Sequence, residues 1–119
     1  MYNYDDSIKL LVNRFPKLKT IYEENIDDYS NLPYLFYESV FVKYIVDKIR
    51  SNDDVELSTI FSFIEELLSD GDEKTKNLIN VAVIESLYFE KNFAEFNKFL
   101  IKHYGILTEK SFEDCFEKQ

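Results

Sequence analysis

Apolar residues recur at three- and four-residue intervals along nearly the whole chain, which is the spacing of a helix face buried on a neighbour. Ile8, Leu11, Val12 and Phe15 form one such stripe, predicting a first helix from Tyr4 to Phe15 that Pro16 interrupts. A second carries Leu18, Ile21, Tyr22 and Asn25 toward Tyr29. Ser30 and Asn31 offer capping oxygens, and Pro33 suits the first turn of a long third helix from Leu32 to Arg50. Its continuous polar strip is Ser39, Lys43, Asp47 and Arg50. Leu35, Phe36, Tyr37, Val40, Phe41, Val42, Tyr44, Ile45, Val46 and Ile49 cover the rest, so this helix belongs in the centre.

Asp53 and Glu56 have capping-box spacing ahead of a fourth helix whose Leu57, Ile60, Phe61, Ile64, Leu67 and Leu68 share one face. Ser69, Asp70, Gly71 and Asp72 read as a turn in which Gly71 can take positive φ and Asp72 caps the next helix. That fifth helix, Glu73 to Glu90, is apolar all round and is the second candidate for the buried centre. Asn92 and Glu95 repeat the capping-box spacing before a sixth helix with Phe93, Phe96, Phe99, Leu100 and Tyr104, which Gly105 stops. Thr108 begins a last helix holding Phe112 and Phe116.

The expectation is an all-α fold, a compact array of six to seven helices in antiparallel α-hairpins, because the connecting segments are short. With 2 Gly and 2 Pro in 119 residues, strands punctuated by turn residues have no place. The length suits a single helical domain spanning residues 1–119.

Charge and side-chain chemistry then exclude whole classes of function. With 14 Lys plus Arg against 23 Asp plus Glu, the formal net charge is -9, which argues against a general nucleic-acid binder. The content of 9 Tyr and 11 Phe is too large a buried load for a disordered acidic tail. Cys115 is the single cysteine and His103 the single histidine, so an internal disulfide, most metal sites and most catalytic sets are ruled out. Neither a metal nor a cofactor is expected, and no enzyme activity. The acidic start, Met1 to Asp6, and the lack of an apolar run near about 18 residues suggest a cytoplasmic chain with no membrane partner.

Single features have ordinary readings. The Asp70–Glu73 stretch lacks the ladder of oxygen ligands an EF-hand needs, so turn and cap account for it. His103 beside Lys102 complements a helix C-terminus. Cys115, between Phe112 and Phe116, reads as an inert or semi-exposed thiol. Glu85 shares a stripe with Leu78, Ala82 and Phe89, so it needs either an internal partner or a groove to face. Asn77 and Asn80 on the same helix raise the same question, with loop-tethering hydrogen bonds as the ordinary answer.

The acidic residues divide by whether they help the helix that carries them. Asp5, Asp6, Asp53, Asp54, Glu56, Asp72 and Glu73 lie at helix starts, where carboxylates are stabilising. Glu23, Glu24, Asp27 and Asp28 fall toward the end of the second helix, and Glu65, Glu66 and Asp70 toward the end of the fourth, where they oppose the dipole. Solubility explains these seven as well as a basic partner does, and they are the candidate partner-binding residues.

Three segments carry a family resemblance: Leu32, Pro33, Tyr34, Leu35 and Phe36; Phe63, Ile64 and Glu65; and the run from Ser69 to Leu87, with the Phe15–Pro16 pair fitting as well. Between Leu32 and Leu87 the chain resembles a bacterial family of small all-helical proteins, some of which look like immunity proteins of contact-dependent inhibition and related toxin systems. The resemblance implies a cytoplasmic binder that masks a cognate toxin domain, often a nuclease (RNase) with a basic cleft, and brings no catalytic pattern. It does not extend over Tyr88 to Gln119. The alternative is an acidic helical adaptor or regulatory domain that binds an endogenous protein and has no toxin partner.

Overall fold

Helical spacing becomes helix almost everywhere. A computed structural model describes residues 1–117; Lys118 and Gln119, which the single-domain expectation includes, lie outside the described residues. The fold is all-α, 84% helical, with eight helices and no strand among the described residues. Two of the eight change pitch midway and are labelled by their α-helical parts. A 3-10 turn at Tyr4–Asp6 leads into α1 (Ser7–Arg14), followed by α2 (Pro16–Glu24) and α3 (Ile26–Tyr29). A rod over residues 33–50 consists of α4 (Pro33–Phe36), a π-helical stretch Tyr37–Phe41 and α5 (Val42–Arg50). Then come α6 (Asp54–Asp70) and a second rod, α7 (Glu73–Leu78), π-helical Ile79–Glu85 and α8 (Ser86–Tyr88). The chain closes with α9 (Phe93–Leu100), a 3-10 turn Ile101–His103 and α10 (Ile106–Glu117).

Pro16 and Pro33 each open a helix, where the missing N–H costs nothing. The expected second helix breaks in two because Asn25 turns its side-chain amide back onto the Ile21 carbonyl at 2.9 Å, taking an acceptor from the last turn of α2. Ser30 and Asn31 do not cap the first rod: Leu32 is the N-cap, without a side-chain bond, and Asn31 instead takes φ 60° to turn the chain. Asp53 and Asp72 do cap, accepting from the N–H groups of Glu56 at 3.1 Å and Thr75 at 2.8 Å. Asn92 precedes α9 without a side-chain cap.

Gly71 does not adopt positive φ. Its backbone is extended, φ -84° and ψ 158°, and forms an isolated parallel bridge with Tyr2. Crowding demands glycine there, since a Cβ would stand 2.4 Å from the Leu67 carbonyl oxygen and 2.8 Å from Thr75 Cγ2.

Both rods contribute to the centre, with Phe36, Tyr37, Phe41 and Ile45 from one and Leu78, Ile79 and Val83 from the other fully buried. Helix α6 is equally central: it lies against α5, α7 and α10 and buries Phe63 along with its expected stripe. Phe63 completes a ring cluster with Phe15 at 5.6 Å and Phe41 at 6.0 Å. At the other end Tyr104 stacks on Phe112 at 4.9 Å, and Phe93 meets Phe112 at 5.3 Å. Leu35, expected in the covered face, is exposed.

The π-helical stretches pack on one another, and their i→i+5 turns defeat a face drawn at constant pitch. Leu78 and Ala82 are buried as the stripe predicts, but Glu85 is half-buried and Phe89 stands in solvent.

Candidate functional site

The seven acids singled out in the sequence are placed in two different settings. Glu23 and Glu24 end α2, as expected. Asp27 and Asp28 do not lie at a helix end; the break at Asn25 puts them in the first turn of α3, where negative charge suits the dipole. All four are exposed, and among the described residues none of their side chains makes a hydrogen bond or an ion pair. The corner that carries them is held rigid from below, where the rings of Tyr22 and Tyr29 each meet Phe36 at 5.2 Å. Ile21, Ile26 and Leu32 are exposed around the same corner, so charge and apolar surface are interleaved. Beside it, a groove of about 550 Å³ runs between α1 and α2, with Tyr4, Ile8, Lys9, Lys19, Tyr22 and Glu23 in its walls.

Glu65, Glu66 and Asp70 have partners within the fold. The Glu65 carboxylate accepts from the backbone N–H of Leu107 at 3.0 Å and of Thr108 at 2.9 Å, and from the Thr108 hydroxyl at 2.9 Å. It thereby caps the first turn of α10 from a distant helix. Gly105 makes this possible, because a Cβ there would lie 2.2 Å from Glu65 Cδ. Glu66 accepts from Arg14 at 2.8 Å and from the Tyr2 hydroxyl at 3.4 Å. The Arg14 guanidinium also lies over the Phe63 ring, 5.2 Å from its centre. Asp70 meets the Met1 amine at 3.7 Å. These three acids line a groove of about 570 Å³ together with Tyr2, His103 and Tyr104. Tertiary partners account for their positions, which the helix dipole leaves unexplained. Those partners lie far off in the sequence, and only the acids' unfavourable placement hints at them.

His103 and Lys102 do not cap their own helix. The 3-10 turn after α9 carries them across to the start of α6, where the Asp54 carboxylate lies 3.2 Å from Lys102 Nζ and 3.3 Å from His103 Nε2. Hydrogen bonding from Lys102 and then His103 holds the Asp54 carboxyl below the usual carboxylate range. His103 Nδ1 meets the Ser58 hydroxyl at 3.1 Å. Hydroxyl, imidazole and carboxylate in that order match the components of a hydrolytic relay. Ser58, however, lies past the first turn of α6, where backbone N–H groups are bound within the helix and cannot hold an oxyanion. The trio fastens the turn to α6.

Cys115 is buried rather than half-exposed, because α10 turns it inward beside Phe112. Among the described residues no group of three His, Cys, Asp or Glu could hold a metal ion, and no helix is long and apolar enough to cross a membrane. The amide of Asn77 donates to the Tyr34 hydroxyl at 2.6 Å, so it ties one rod to the other rather than tethering a loop.

A family model described as Domain of unknown function (DUF7674) matches residues 8–117. The match runs from α1 to the end of α10 and includes the segment after Tyr88, over which the resemblance read from the sequence does not extend. No curated protein and no solved structure matches the chain.

Proposed function

We propose that the chain, which belongs to the DUF7674 family, is a non-catalytic immunity protein of the cytoplasm. It binds a cognate bacterial toxin domain, a nuclease of the RNase type with a basic cleft, and blocks that cleft. The observation that carries this reading is the α2–α3 corner, where Glu23, Glu24, Asp27 and Asp28 are exposed among Ile21, Ile26 and Leu32. Carboxylates without internal partners lose nothing within the fold when they meet lysines or arginines. Long-range attraction speeds the encounter with a basic cleft, and the apolar side chains slow dissociation once water is expelled. The resemblance between Leu32 and Leu87 supports the same reading. Glu65, Glu66 and Asp70 take a lesser part, since their carboxylates already serve the fold.

The test is co-purification of the chain with the product of the neighbouring gene, followed by association kinetics against ionic strength. Replacing Glu23 and Glu24 by Gln and Asp27 and Asp28 by Asn should slow association about tenfold at low salt and flatten its salt dependence. Cells expressing the toxin should then lose protection. An unchanged association rate, salt response and protection would remove this corner from the interface. A chain that binds an endogenous protein and never the neighbouring product is the adaptor instead.

A further inference from the structure

A second face, separate from the α2–α3 corner, has the composition of a receptor for a helix. Along the rod over residues 73–88, Val81 is 41% exposed, and just beyond it Phe89 is 68% exposed. On α10, Phe116 is 57% exposed. Tyr88 joins the two phenylalanines, its ring 5.2 Å from Phe89 and 5.1 Å from Phe116, so they form one aromatic surface. Two grooves of about 490 and 500 Å³ flank Val81. Glu38 and Glu90 stand in one, Glu117 and Asp114 in the other, Asp114 with Lys110 Nζ at 3.9 Å outside the groove, and none of the described residues lining either groove is basic. The α1–α2 groove, by contrast, contains Lys9 and Lys19.

We propose that this face binds a basic amphipathic helix of a partner protein, its apolar side chains on Val81, Phe89 and Phe116 and its lysines or arginines along the acidic walls. Charge decides the occupant. A second copy of the chain would bring these carboxylates against their own counterparts, and an anionic membrane surface would be repelled. The inference does not rest on the toxin reading, because it uses no residue of the α2–α3 corner.

The probe is a fluorescent Lys/Leu peptide of about 18 residues, long enough for a stable bound helix, with leucines on one face. Its anisotropy is followed as the full chain is added, beside a scrambled peptide of the same composition. The amphipathic peptide should bind at least about tenfold more tightly than the scrambled one. Phe89→Ser with Phe116→Ser should weaken it about tenfold, and both variants should fold because both side chains face water. Glu38→Gln, Glu90→Gln and Glu117→Gln together should weaken it and flatten its salt dependence. Neutralising Glu23, Glu24, Asp27 and Asp28 should leave the preference for the amphipathic peptide over the scrambled one intact. Equal binding of the two peptides overturns the proposal. So does binding indifferent to both the Phe and the Glu variants, or self-association of the chain abolished by the Phe variants.

Discussion

Glu65 and Gly105 act as a single device, although they lie on different elements. The carboxylate occupies the space a side chain at 105 would take, and from there it holds the first N–H groups of α10. Glu65→Ala should therefore lower unfolding free energy by about 1–2 kcal/mol, the range for a lost N-cap strengthened by charge. Gly105→Ala should cost a similar amount by expelling the same carboxylate, and the double variant should fall short of the sum by about 1 kcal/mol in urea denaturation. Strict additivity would mean the two residues act separately. Tyr37 makes a pH prediction of definite sign. Its hydroxyl donates to the Ser7 carbonyl at 2.7 Å, and burial drives its pKa far above the ordinary tyrosine value. A raised pKa gives stability that is fully present below about pH 10 and is lost as pH climbs above it, because the unfolded phenol ionises first. Alkaline unfolding, followed by helical circular dichroism and phenolate absorbance together, should be cooperative. Tyr37→Phe should remove part of it at a cost near neutrality of about 0.5–1.5 kcal/mol. Asp72 has the opposite sign: hydrogen bonds from Thr75 and the Tyr4 N–H hold its carboxyl low. Its contribution is present above the ordinary carboxylate range and fades as pH falls through the lowered value.

At the scale of elements, four helix starts are legible in the sequence and helix pitch is not. Pro16, Pro33, Asp53 and Asp72 mark boundaries through chemistry confined to one turn of chain, so neighbouring residues suffice to read them. The π-helical stretches Tyr37–Phe41 and Ile79–Glu85 pack on one another, so the changes of pitch lie where two segments distant in the sequence meet. Spacing along one stretch of sequence carries no sign of that, which is why Phe89 reads as part of a buried stripe. The same distinction runs through the candidate site. The end of α2 places Glu23 and Glu24 correctly, while the Asn25 break that moves Asp27 and Asp28 to a helix start depends on one side-chain amide. The two acidic groups should accordingly respond differently to neutralisation. Glu65→Gln, Glu66→Gln and Asp70→Asn together should cost about 1–3 kcal/mol, because a cap and an Arg14 pair are weakened at once. The four changes at Glu23, Glu24, Asp27 and Asp28 should stay within about 0.5 kcal/mol, as expected for surface residues without partners. A reversed order in chemical denaturation would contradict the division of roles.

Across the whole molecule the net charge is -9, and the described residues that carry most of it lie within extents of 35 × 31 × 24 Å. At low ionic strength the screening length is comparable with that size, so the carboxylates of one face repel those of another through the fold. The unfolded chain spreads the same charges further apart, and repulsion therefore works against the native state. Attractive pairs act in the other direction. The Arg14–Glu66 and Lys102–Asp54 contacts are partly or fully open to water, and exposed pairs of this kind contribute little that salt can remove. Repulsion should win, and raising salt from about 0.01 M to about 0.15 M should stabilise the protein by about 1 kcal/mol. That corresponds to a rise in Tm of about 4 °C for a chain of this size. The α2–α3 corner supplies four of the unpaired negative charges, so its neutralised variant should melt higher than the wild type at low salt and converge with it at high salt. Thermal melts of both proteins across an ionic-strength series measure this directly. Parallel curves at every salt concentration would mean that the corner's charges are not felt by the fold. Convergence would show that repulsion at the corner outweighs the favourable setting of Asp27 and Asp28 in the first turn of α3, as expected of a surface whose complement lies on a basic partner.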